Sequence, residues 1–346
     1  AECNSAIRQS ATLRYELRNC RPVTLSHPAM NNKTPANLAA VVLTVVALAA
    51  LTFWLWPRSF AALKLRVPGT DQAPGVDGGS TNNPVLRGQL TRGGGQPASL
   101  PGEWSQCRGP LRDGICHEPL TLNRNWAASP PRELWGIDVG EGYAGPVVSQ
   151  GRIYLMDYDL EKQQDALRCL SLADGKDIWR YAYPISIKRN HGMSRTVPAL
   201  ASNLVVALGP KCHLLCADAA SGELRWSLDL VRQFGTTIPP WYAGQCPLIE
   251  GDKVILAPAG KSNLLVAVSL QTGEVAWQSP NPRGWKMTHS SVMPMQLGQR
   301  RLYLYCGNGG VAVVAAADGA LLWSSTDWRI SIATIPSPLP LEEGRV

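Results

Sequence analysis

The chain has 346 residues, of which 45% are hydrophobic and only 17% are charged, and it contains 32 Gly and 27 Pro. This composition argues against a mainly disordered chain, against coiled coils and against long solvated helices. The net charge is +7, but residues 1–66 carry eight Lys or Arg and two acidic side chains, which leaves the remainder at +1. Nucleic acids bind to basic surfaces, and residues 67–346 are almost neutral. Nucleic acid is therefore not an expected partner.

An uncharged run of 19 residues, LAAVVLTVVALAALTFWLW, occupies positions 38–56. As a helix it would be about 28 Å long, close to the roughly 30 Å hydrocarbon core of a bilayer, and its terminal Trp54 and Trp56 suit the membrane interface. We predict an uncleaved transmembrane signal anchor at 38–56 behind a basic tail at 1–37; a cleaved signal peptide and a buried helix are the alternatives. Because long domains are translocated largely regardless of nearby charge, we expect the tail in the cytoplasm and the rest of the chain outside it.

Eight Gly and five Pro stand between positions 67 and 101, among few large apolar side chains. Such a stretch cannot bury enough surface to offset its ordering entropy, so residues 57–101 are predicted to form a flexible linker. Residues 102–130, which we name the leading segment, connect this linker to a repeated region at 131–346.

Four phrases in the repeated region contain a small polar residue, a Gly, and a Trp four positions after the Gly: DGKDIW, SGELRW, TGEVAW and DGALLW. The glycines and tryptophans are Gly175, Gly222, Gly273 and Gly319, and Trp179, Trp226, Trp277 and Trp323. A Pro before an apolar strand recurs at positions 146, 198, 247, 294 and 338. The Trp spacings of 47, 51 and 46 agree with the Pro spacings of 52, 49, 47 and 44, which indicates an internal repeat.

Each repeat contains β-rich apolar runs bounded by turn residues, such as GRIYLMDY and NLVVALG. A Gly between two strands accepts the positive φ of a tight turn, and the Trp that follows offers a flat surface for packing on the neighbouring repeat. Units of about 40–50 residues with about four strands are typical of propeller blades. We therefore predict an all-β fold, a β-propeller of about four four-stranded blades preceded by one transmembrane helix, in which the Gly and Trp of each phrase dock the blades.

The stretch Cys216–Trp226, CADAASGELRW, resembles the repeat of the pyrroloquinoline-quinone-type β-propellers, small-x-Asp-Ala-x-Thr-Gly-Lys-x-x-Trp, and the other three phrases are looser copies. The leading segment at Trp104–Gly114, with GQCP at 244–247 and GWKMTHSS at 284–291, resembles the membrane-anchored propellers of planctomycete-type bacteria. Proteins of this class include quinone-dependent dehydrogenases and non-catalytic scaffolds, among them the propeller lipoprotein of the outer-membrane β-barrel assembly machinery. The resemblance therefore implies the fold more closely than the chemistry.

Propellers of this class usually close with eight blades, so the resemblance implies that the four blades counted here are part of a larger ring. The final PSPLPLEEGRV repeats the opening of a blade, and we expect an incomplete propeller that lacks C-terminal blades. A self-contained four-bladed propeller is the alternative. Glu133–Val139 is the candidate closing strand.

Two of the nine cysteines, Cys169 and Cys216, stand where Ala267 and Val313 stand in the other repeats, so we predict small buried core residues rather than reactive thiols. Cys212 and Cys216 would share one face of a strand but lie about 13 Å apart, too far to hold one metal ion. No metal site is therefore predicted.

Cys107 and Cys116 flank a turn region outside the blades, and whether they form a disulfide depends on the compartment in which the domain lies. The quinone dehydrogenases that the repeat resembles hold their cofactor with a calcium-binding carboxylate and amide, a catalytic Asp and usually an adjacent Cys-Cys pair. This chain has no neighbouring cysteines and no recognisable set of these ligands. No cofactor is predicted, and pyrroloquinoline quinone with calcium is the alternative.

Three longer loops before the blade-opening prolines combine a basic or imidazole group with an aromatic or amide neighbour. They come from successive blades and are expected to converge near one end of the central channel, where propellers bind ligands and peptides. This candidate binding face consists of Arg189, Asn190, His191, Arg195, Trp241, Tyr242, Gln245, Trp285, Lys286 and His289. The alternative is that these residues are ordinary solvent-exposed loop side chains. No catalytic residue is predicted, because no third group orients His289 toward Ser290 or Ser291.

The sequence therefore favours a single-pass membrane protein of a bacterial cell envelope with a periplasmic propeller. We expect a non-catalytic scaffold that binds other envelope proteins or a small ligand at the propeller channel. The alternatives are a pyrroloquinoline-quinone-dependent oxidoreductase and a purely structural envelope protein.

Overall fold

The computed structural model describes residues 34–55, 83–119, 121–189, 192–330, 334–341 and 344–345. The chain divides into two compact units, Ala1–Leu65 and Arg66–Val346. The first unit contains helix α1 (Thr34–Leu55), and the second contains the strands together with the short helix α2 (Leu230–Phe234).

Helix α1 covers most of the apolar run that is predicted to cross a membrane, and its side chains from 38 to 53 are exposed. Within the part of the chain that the structure describes, no helix combines the length and the apolar character that a membrane crossing requires. The transmembrane anchor at 38–56 therefore remains a prediction.

Four antiparallel sheets follow one another along the second unit, and we name them blades A to D. Strand β1 (Gln89–Arg92) comes first in the chain and joins blade A. Blade A contains β2 (Val147–Ser149), β3 (Arg152–Asp159), β4 (Gln164–Ser171) and β5 (Asp177–Pro184), and blade B contains β6 (Ala199–Ala201), β7 (Leu204–Leu208), β8 (His213–Asp218) and β9 (Leu224–Asp229). Blade C contains β10 (Leu248–Glu250), β11 (Lys253–Leu256), β12 (Asn263–Ser269) and β13 (Val275–Pro280), and blade D contains β14 (Met293–Leu297), β15 (Arg300–Gly307), β16 (Gly310–Ala315) and β17 (Leu321–Ser325).

The four strands of each blade form a meander in chain order. The first strands β2, β6 and β10 of successive blades lie next to one another, which makes them the inner strands of the array. The four antiparallel sheets confirm the predicted all-β class and agree with propeller blades, although β1 makes the sheet of blade A five-stranded.

The third and fourth strands of every blade meet in one common register. Trp179, Trp226, Trp277 and Trp323 stand opposite Cys169, Cys216, Ala267 and Val313, and a β-bulge follows each pair. The turn Gly of each blade has a φ between +70° and +78° and donates its N–H to the carbonyl four residues earlier. A residue with a Cβ rarely adopts this φ, which explains why the phrase contains Gly at this position.

Three of the four tryptophans pack against the blade that follows. The indole N–H of Trp179 donates to the carbonyl of Ala219 in the turn of blade B at 3.0 Å, and Trp226 makes the equivalent bond to blade C at 2.9 Å. Each ring lies on the turn Gly of the next blade. Trp179, Trp226 and Trp277 are 0%, 9% and 9% exposed, whereas Trp323 is 54% exposed because no further blade covers it among the described residues.

The burial of the strands reflects the stacking of the blades. All residues of β7 and β8 in blade B are buried, because blades A and C cover the two faces of this sheet. Strand β16 of blade D instead alternates buried and half-buried residues, since only one of its faces packs on a neighbour. Burial on both faces therefore marks β7 and β8 of blade B, whereas β16 shows the alternation of a strand with one covered face.

Strand β1 lies within the stretch that is predicted to be a flexible linker. It pairs antiparallel with β5, and the 3₁₀ turn Pro84–Arg87 just before it buries Val85 completely. The hydroxyl of Tyr181 donates to the carbonyl of Val85 at 2.8 Å. The linker prediction is corrected for residues 83–95, because the open edge of an existing sheet supplies backbone partners that the composition cannot reveal. Residues 56–82 lie outside the described part of the chain.

Glu133–Val139, the candidate closing strand, forms no strand. Trp135 packs on the turn Gly175 of blade A, and its indole N–H donates to the carbonyl of Leu172 at 3.0 Å. This is the contact that Trp179 makes with blade B, so Trp135 docks onto blade A as the tryptophan of a preceding unit would.

Candidate functional site

The loops that precede blades C and D enclose a cleft of about 150 Å³. Three residues of the predicted binding face, Trp241, Lys286 and His289, line it together. Its other walls include Pro239, Pro240, Thr288, Asn308, Ile330 and Thr334. Among these described lining residues there is one ammonium group and no carboxylate, so the cleft is aromatic and basic.

His289 is held by the loop that carries Trp241. Its Nε2 donates to the carbonyl of Tyr242 at 3.0 Å, and its ring lies 6.4 Å from the indole of Trp241. Burial and the nearby Arg195 lower the pKa of His289. The imidazole is therefore neutral at neutral pH, and it contributes a polar and aromatic surface rather than a charge.

Arg195 lies behind this loop. Its guanidinium donates to the carbonyl of Trp241 and, at 2.8 Å, to the carbonyl of Gly192, and burial lowers its pKa. A planar guanidinium that binds two carbonyls fixes both loops at once. Arg195 therefore positions Trp241 in the cleft.

The other residues of the predicted face do not line the cleft. Tyr242 and Gln245 are fully buried: the Tyr242 hydroxyl donates to the carbonyl of Lys188 at 2.8 Å, and the Gln245 amide exchanges two bonds with the backbone of Ala257. Trp285 is buried over Gly307 and Gly309, and the exposed Arg189 pairs with Glu141 at 2.6 Å. Asn190 and His191 lie outside the described residues.

The leading segment crosses the inner strands of the blades. Trp104 exchanges two backbone hydrogen bonds with Val148 of β2, at 2.8 and 3.0 Å, and the carbonyl of Ser105 accepts a 2.7 Å bond from the backbone of β6. The Gln106 side chain accepts a 3.4 Å bond from the N–H of Ile249 in β10. This segment therefore covers the strand edges that face the centre of the array.

Arg112, at the far end of this crossing, is 1% exposed. Its guanidinium donates to the carbonyl of Val292 at 2.5 Å, to that of Cys246 at 3.1 Å and to that of Pro247. Burial lowers its pKa. The side chain joins the starts of β10 and β14, and no local sequence pattern predicts it because its partners are at least 134 residues away.

A second buried polar cluster lies between blades A and B. The Asp165 carboxyl accepts hydrogen bonds from the Tyr183 hydroxyl at 2.6 Å and from the Ser194 hydroxyl at 3.0 Å, and burial raises its pKa to about 7. The ring of His213 lies 6.4 Å from that of Tyr183, and burial, opposed by the charge of Asp229, lowers the pKa of His213 to about 4. These groups are enclosed by the core, which makes them determinants of stability rather than a binding site.

Cys169 and Cys216 are fully buried, which confirms that they are core residues, and burial raises the pKa of each thiol to about 12. Such thiols are inert at neutral pH. Within the described ranges, no three His, Cys, Asp or Glu side chains are grouped so that they can hold a metal ion.

Residues 163–327 match the family model described as outer membrane protein assembly factor BamB. Among solved structures, BamB from Moraxella catarrhalis is 15% identical with a TM-score of 0.40, covering 57% of this chain and 52% of that chain. A quinohemoprotein alcohol dehydrogenase from Comamonas testosteroni is 16% identical with a TM-score of 0.37 and coverages of 53% and 36%. A quinohemoprotein alcohol dehydrogenase from Pseudomonas putida is 15% identical with a TM-score of 0.36, covering 65% of this chain and 48% of that chain.

This chain spans about half the length of these proteins or less. No curated protein matches it. The matched residues begin in blade A and end just after blade D, so they contain all four Gly–Trp turns. Residues 163–327 therefore contain propeller repeats of the pyrroloquinoline-quinone-like class.

Proposed function

We propose that this chain is a non-catalytic binding propeller that holds a segment of a partner protein in the cleft lined by Trp241, Lys286 and His289. The observation that carries the proposal is the size and lining of this cleft. Sites for small molecules and cofactors are typically about 300–1,000 Å³, so a cleft of about 150 Å³ accommodates an anchoring side chain rather than a whole cofactor.

The chemistry of the lining suits an extended peptide. Trp241 and the neighbouring Pro239 and Pro240 offer flat apolar surfaces, and Lys286 places an ammonium group at the same cleft. Aromatic anchors in small pockets contribute most of the binding energy at protein interfaces. A partner segment with an apolar anchor and an adjacent carboxylate complements these groups.

The alternative function, a pyrroloquinoline-quinone-dependent oxidoreductase, requires a calcium ion beside the quinone. Calcium takes about six to eight oxygen ligands, and among the described residues no three His, Cys, Asp or Glu side chains are grouped so that they can hold a metal ion.

We place the propeller outside the cytoplasm of a bacterial cell envelope, tethered by the apolar run at 38–56. The uncharged, apolar sequence of this run supports the tether. The matching family is described as an outer membrane protein assembly factor. A partner among the proteins of envelope assembly is consistent with a cleft that binds a protein segment.

Site-specific photocrosslinking in the full chain tests the proposal. A benzophenone amino acid in place of Lys286 is expected to crosslink one defined envelope protein in a bacterial host, and Trp241→Ala is expected to abolish this product. The matched control carries the benzophenone in place of Lys253, which follows the hairpin at the other end of blade C. Identical products at both positions, or a product at Lys286 that survives Trp241→Ala, would contradict the proposal.

Calorimetric titration of the same chain with pyrroloquinoline quinone and calcium tests the alternative. We expect no binding heat. Stoichiometric binding that depends on calcium would overturn the scaffold proposal and assign the oxidoreductase function instead.

A further inference from the structure

Two cysteines that are 139 positions apart meet where the leading segment crosses blade C. The Cys107 and Cys246 thiols are close enough to shift each other's pKa. The neighbours of both residues fix this approach: Gln106 accepts a bond from Ile249 in β10, and Arg112 donates to the carbonyl of Cys246 at 3.1 Å. Contacts on either side of Cys107 therefore hold its thiol beside that of Cys246.

The surroundings of Cys246 stabilise a thiolate. Its Sγ accepts a 3.3 Å hydrogen bond from the N–H of Val197, and the guanidinium of Arg112 lies nearby. The neighbouring Cys107 thiol, together with these two groups, lowers the pKa of Cys246 although burial opposes it. The Cys246 thiol and burial raise the pKa of Cys107, so Cys246 is the thiol of this pair that ionises more readily.

The two thiols also differ in access. Cys246 is buried, whereas Cys107 is half-buried. Cys116, the other cysteine of the leading segment, is exposed. The structure thus offers Cys107 a buried thiol partner in the loop before blade C, which the sequence could not indicate because it suggested only Cys116.

We propose that Cys107 and Cys246 form a disulfide that fastens the leading segment to the loop just before the inner strand β10 of blade C. The accessible Cys107 sulfur attacks one sulfur of an external disulfide such as oxidised glutathione. The S–S bond of glutathione breaks, a mixed disulfide forms on Cys107, and one glutathione thiolate is released. The Cys246 thiolate then attacks the Cys107 sulfur of the mixed disulfide and displaces the second glutathione. Both cysteines are oxidised, one glutathione disulfide is reduced to two thiols, and the two protons lost by the cysteines are taken up by these thiols.

This bond makes the attachment of the leading segment dependent on the redox state of the compartment. In an oxidising compartment the segment is covalently closed over the inner strands. Under reducing conditions it is held by hydrogen bonds alone. The assignment rests on the contacts of the leading segment and is independent of the proposed binding cleft.

Peptide mapping of the full chain tests this inference. The chain is purified reduced, equilibrated with oxidised glutathione, denatured, treated with N-ethylmaleimide and digested without reductant. We expect a linked peptide pair that contains Cys107 and Cys246, with Cys116 alkylated. A link between Cys107 and Cys116, or alkylation of both Cys107 and Cys246 after full equilibration, would overturn the proposal.

Three variants provide a second measurement. Oxidation is expected to raise the Tm of the parent chain and of the matched control Cys116→Ser. The difference between oxidised and reduced protein is expected to disappear in Cys107→Ser and in Cys246→Ser. An equal shift on oxidation in all three variants would show that the stabilising bond lies elsewhere.

Discussion

Among the described residues no salt bridge joins Asp165 to a cation, and its buried carboxyl accepts hydrogen bonds from the hydroxyls of Tyr183 and Ser194. Burial raises the pKa of Asp165 from its ordinary 3.8 to about 7. Between these two pH values the folded chain therefore keeps a proton that the unfolded chain has released. Folding stability from this group is therefore complete below pH 3.8 and is lost as the pH rises to 7. At about 1.4 kcal/mol per pKa unit, the loss is roughly 4 kcal/mol.

We expect Asp165→Asn to remove this dependence, because the amide keeps the hydrogen-bonding shape without titrating. The measurement is the free energy of unfolding in urea at several pH values between 4 and 7, the window of the Asp165 titration. The difference in unfolding free energy, parent minus variant, should fall as the pH rises. Parallel curves for the two chains would contradict the raised pKa.

His213 opposes Asp165 over much of the same range. Its folded pKa of about 4 lies below its ordinary 6.5, so its contribution to stability is complete above pH 6.5 and is lost as the pH falls toward 4. We expect His213→Phe to lose this acid sensitivity while keeping a ring beside Tyr183. In the same titrations this variant should lose stability with rising pH more steeply than the parent. An unchanged slope would mean that the imidazole has the same pKa in the folded and unfolded states.

At the scale of the blade, the contact between a turn Gly and the preceding Trp is the repeated unit of packing. A Cβ at Gly222 would lie 2.6 Å from the ring of Trp179, and the φ of +78° is unfavourable for any residue but Gly. Gly251 is the matched control, because its φ is +60° but nothing lies within 4 Å of an added Cβ. The comparison therefore separates packing from backbone strain.

We expect Gly251→Ala to cost about 1–2 kcal/mol, from the left-handed backbone alone. Gly222→Ala should cost about 1–3 kcal/mol more, because the methyl group displaces the Trp179 ring. Chemical unfolding of both variants measures these free energies. Equal costs would show that the ring moves away freely and that the Gly–Trp contact does not set the spacing of the blades.

The tryptophans allow a second comparison at the same scale. Trp226 is 9% exposed and bonded to blade C, whereas Trp323 in the equivalent position is 54% exposed. Trp226→Ala is expected to cost about 3–5 kcal/mol, as for other buried tryptophans. Trp323→Ala should change the free energy of unfolding by less than about 1 kcal/mol, a limit typical of surface positions. Similar losses in urea unfolding would mean that Trp323 is covered in solution.

How far the sequence predicts this fold follows from the range of its contacts. Gly222 and Trp226 belong to one local phrase, and four copies of that phrase predict four blades. Trp135 makes the same contact with blade A, but no Gly stands four positions before it. The repeated Gly–Trp phrase therefore does not reveal Trp135. The cleft was predicted only in part, because Trp241 and His289 show as loop residues, whereas the burial of Tyr242 depends on its tertiary surroundings.

At the scale of the whole molecule, stacked repeats contact mainly their neighbours and tend to unfold in parts. The leading segment counteracts this tendency, because it contacts the inner strands of blades A, B and C and reaches the start of blade D through Arg112. Contacts that link distant repeats make unfolding cooperative. The segment is therefore expected to couple the blades into one unit.

Arg112 is the point at which this coupling is most readily removed. Arg112→Met keeps the buried volume but leaves the carbonyls of Cys246, Pro247 and Val292 without their donor, and each unsatisfied buried carbonyl costs about 1–3 kcal/mol. We expect amide hydrogen exchange, followed by mass spectrometry, to accelerate at the starts of β10 and β14 while β3 and β4 of blade A keep their protection. The matched control is Arg108→Met, whose guanidinium makes one long bond of 3.4 Å to a neighbouring carbonyl in the same segment. Uniform acceleration across all four blades would mean that Arg112 supports the whole array equally. No acceleration would mean that water replaces its guanidinium. Only acceleration confined to blades C and D supports the role of Arg112 as a clamp at their junction.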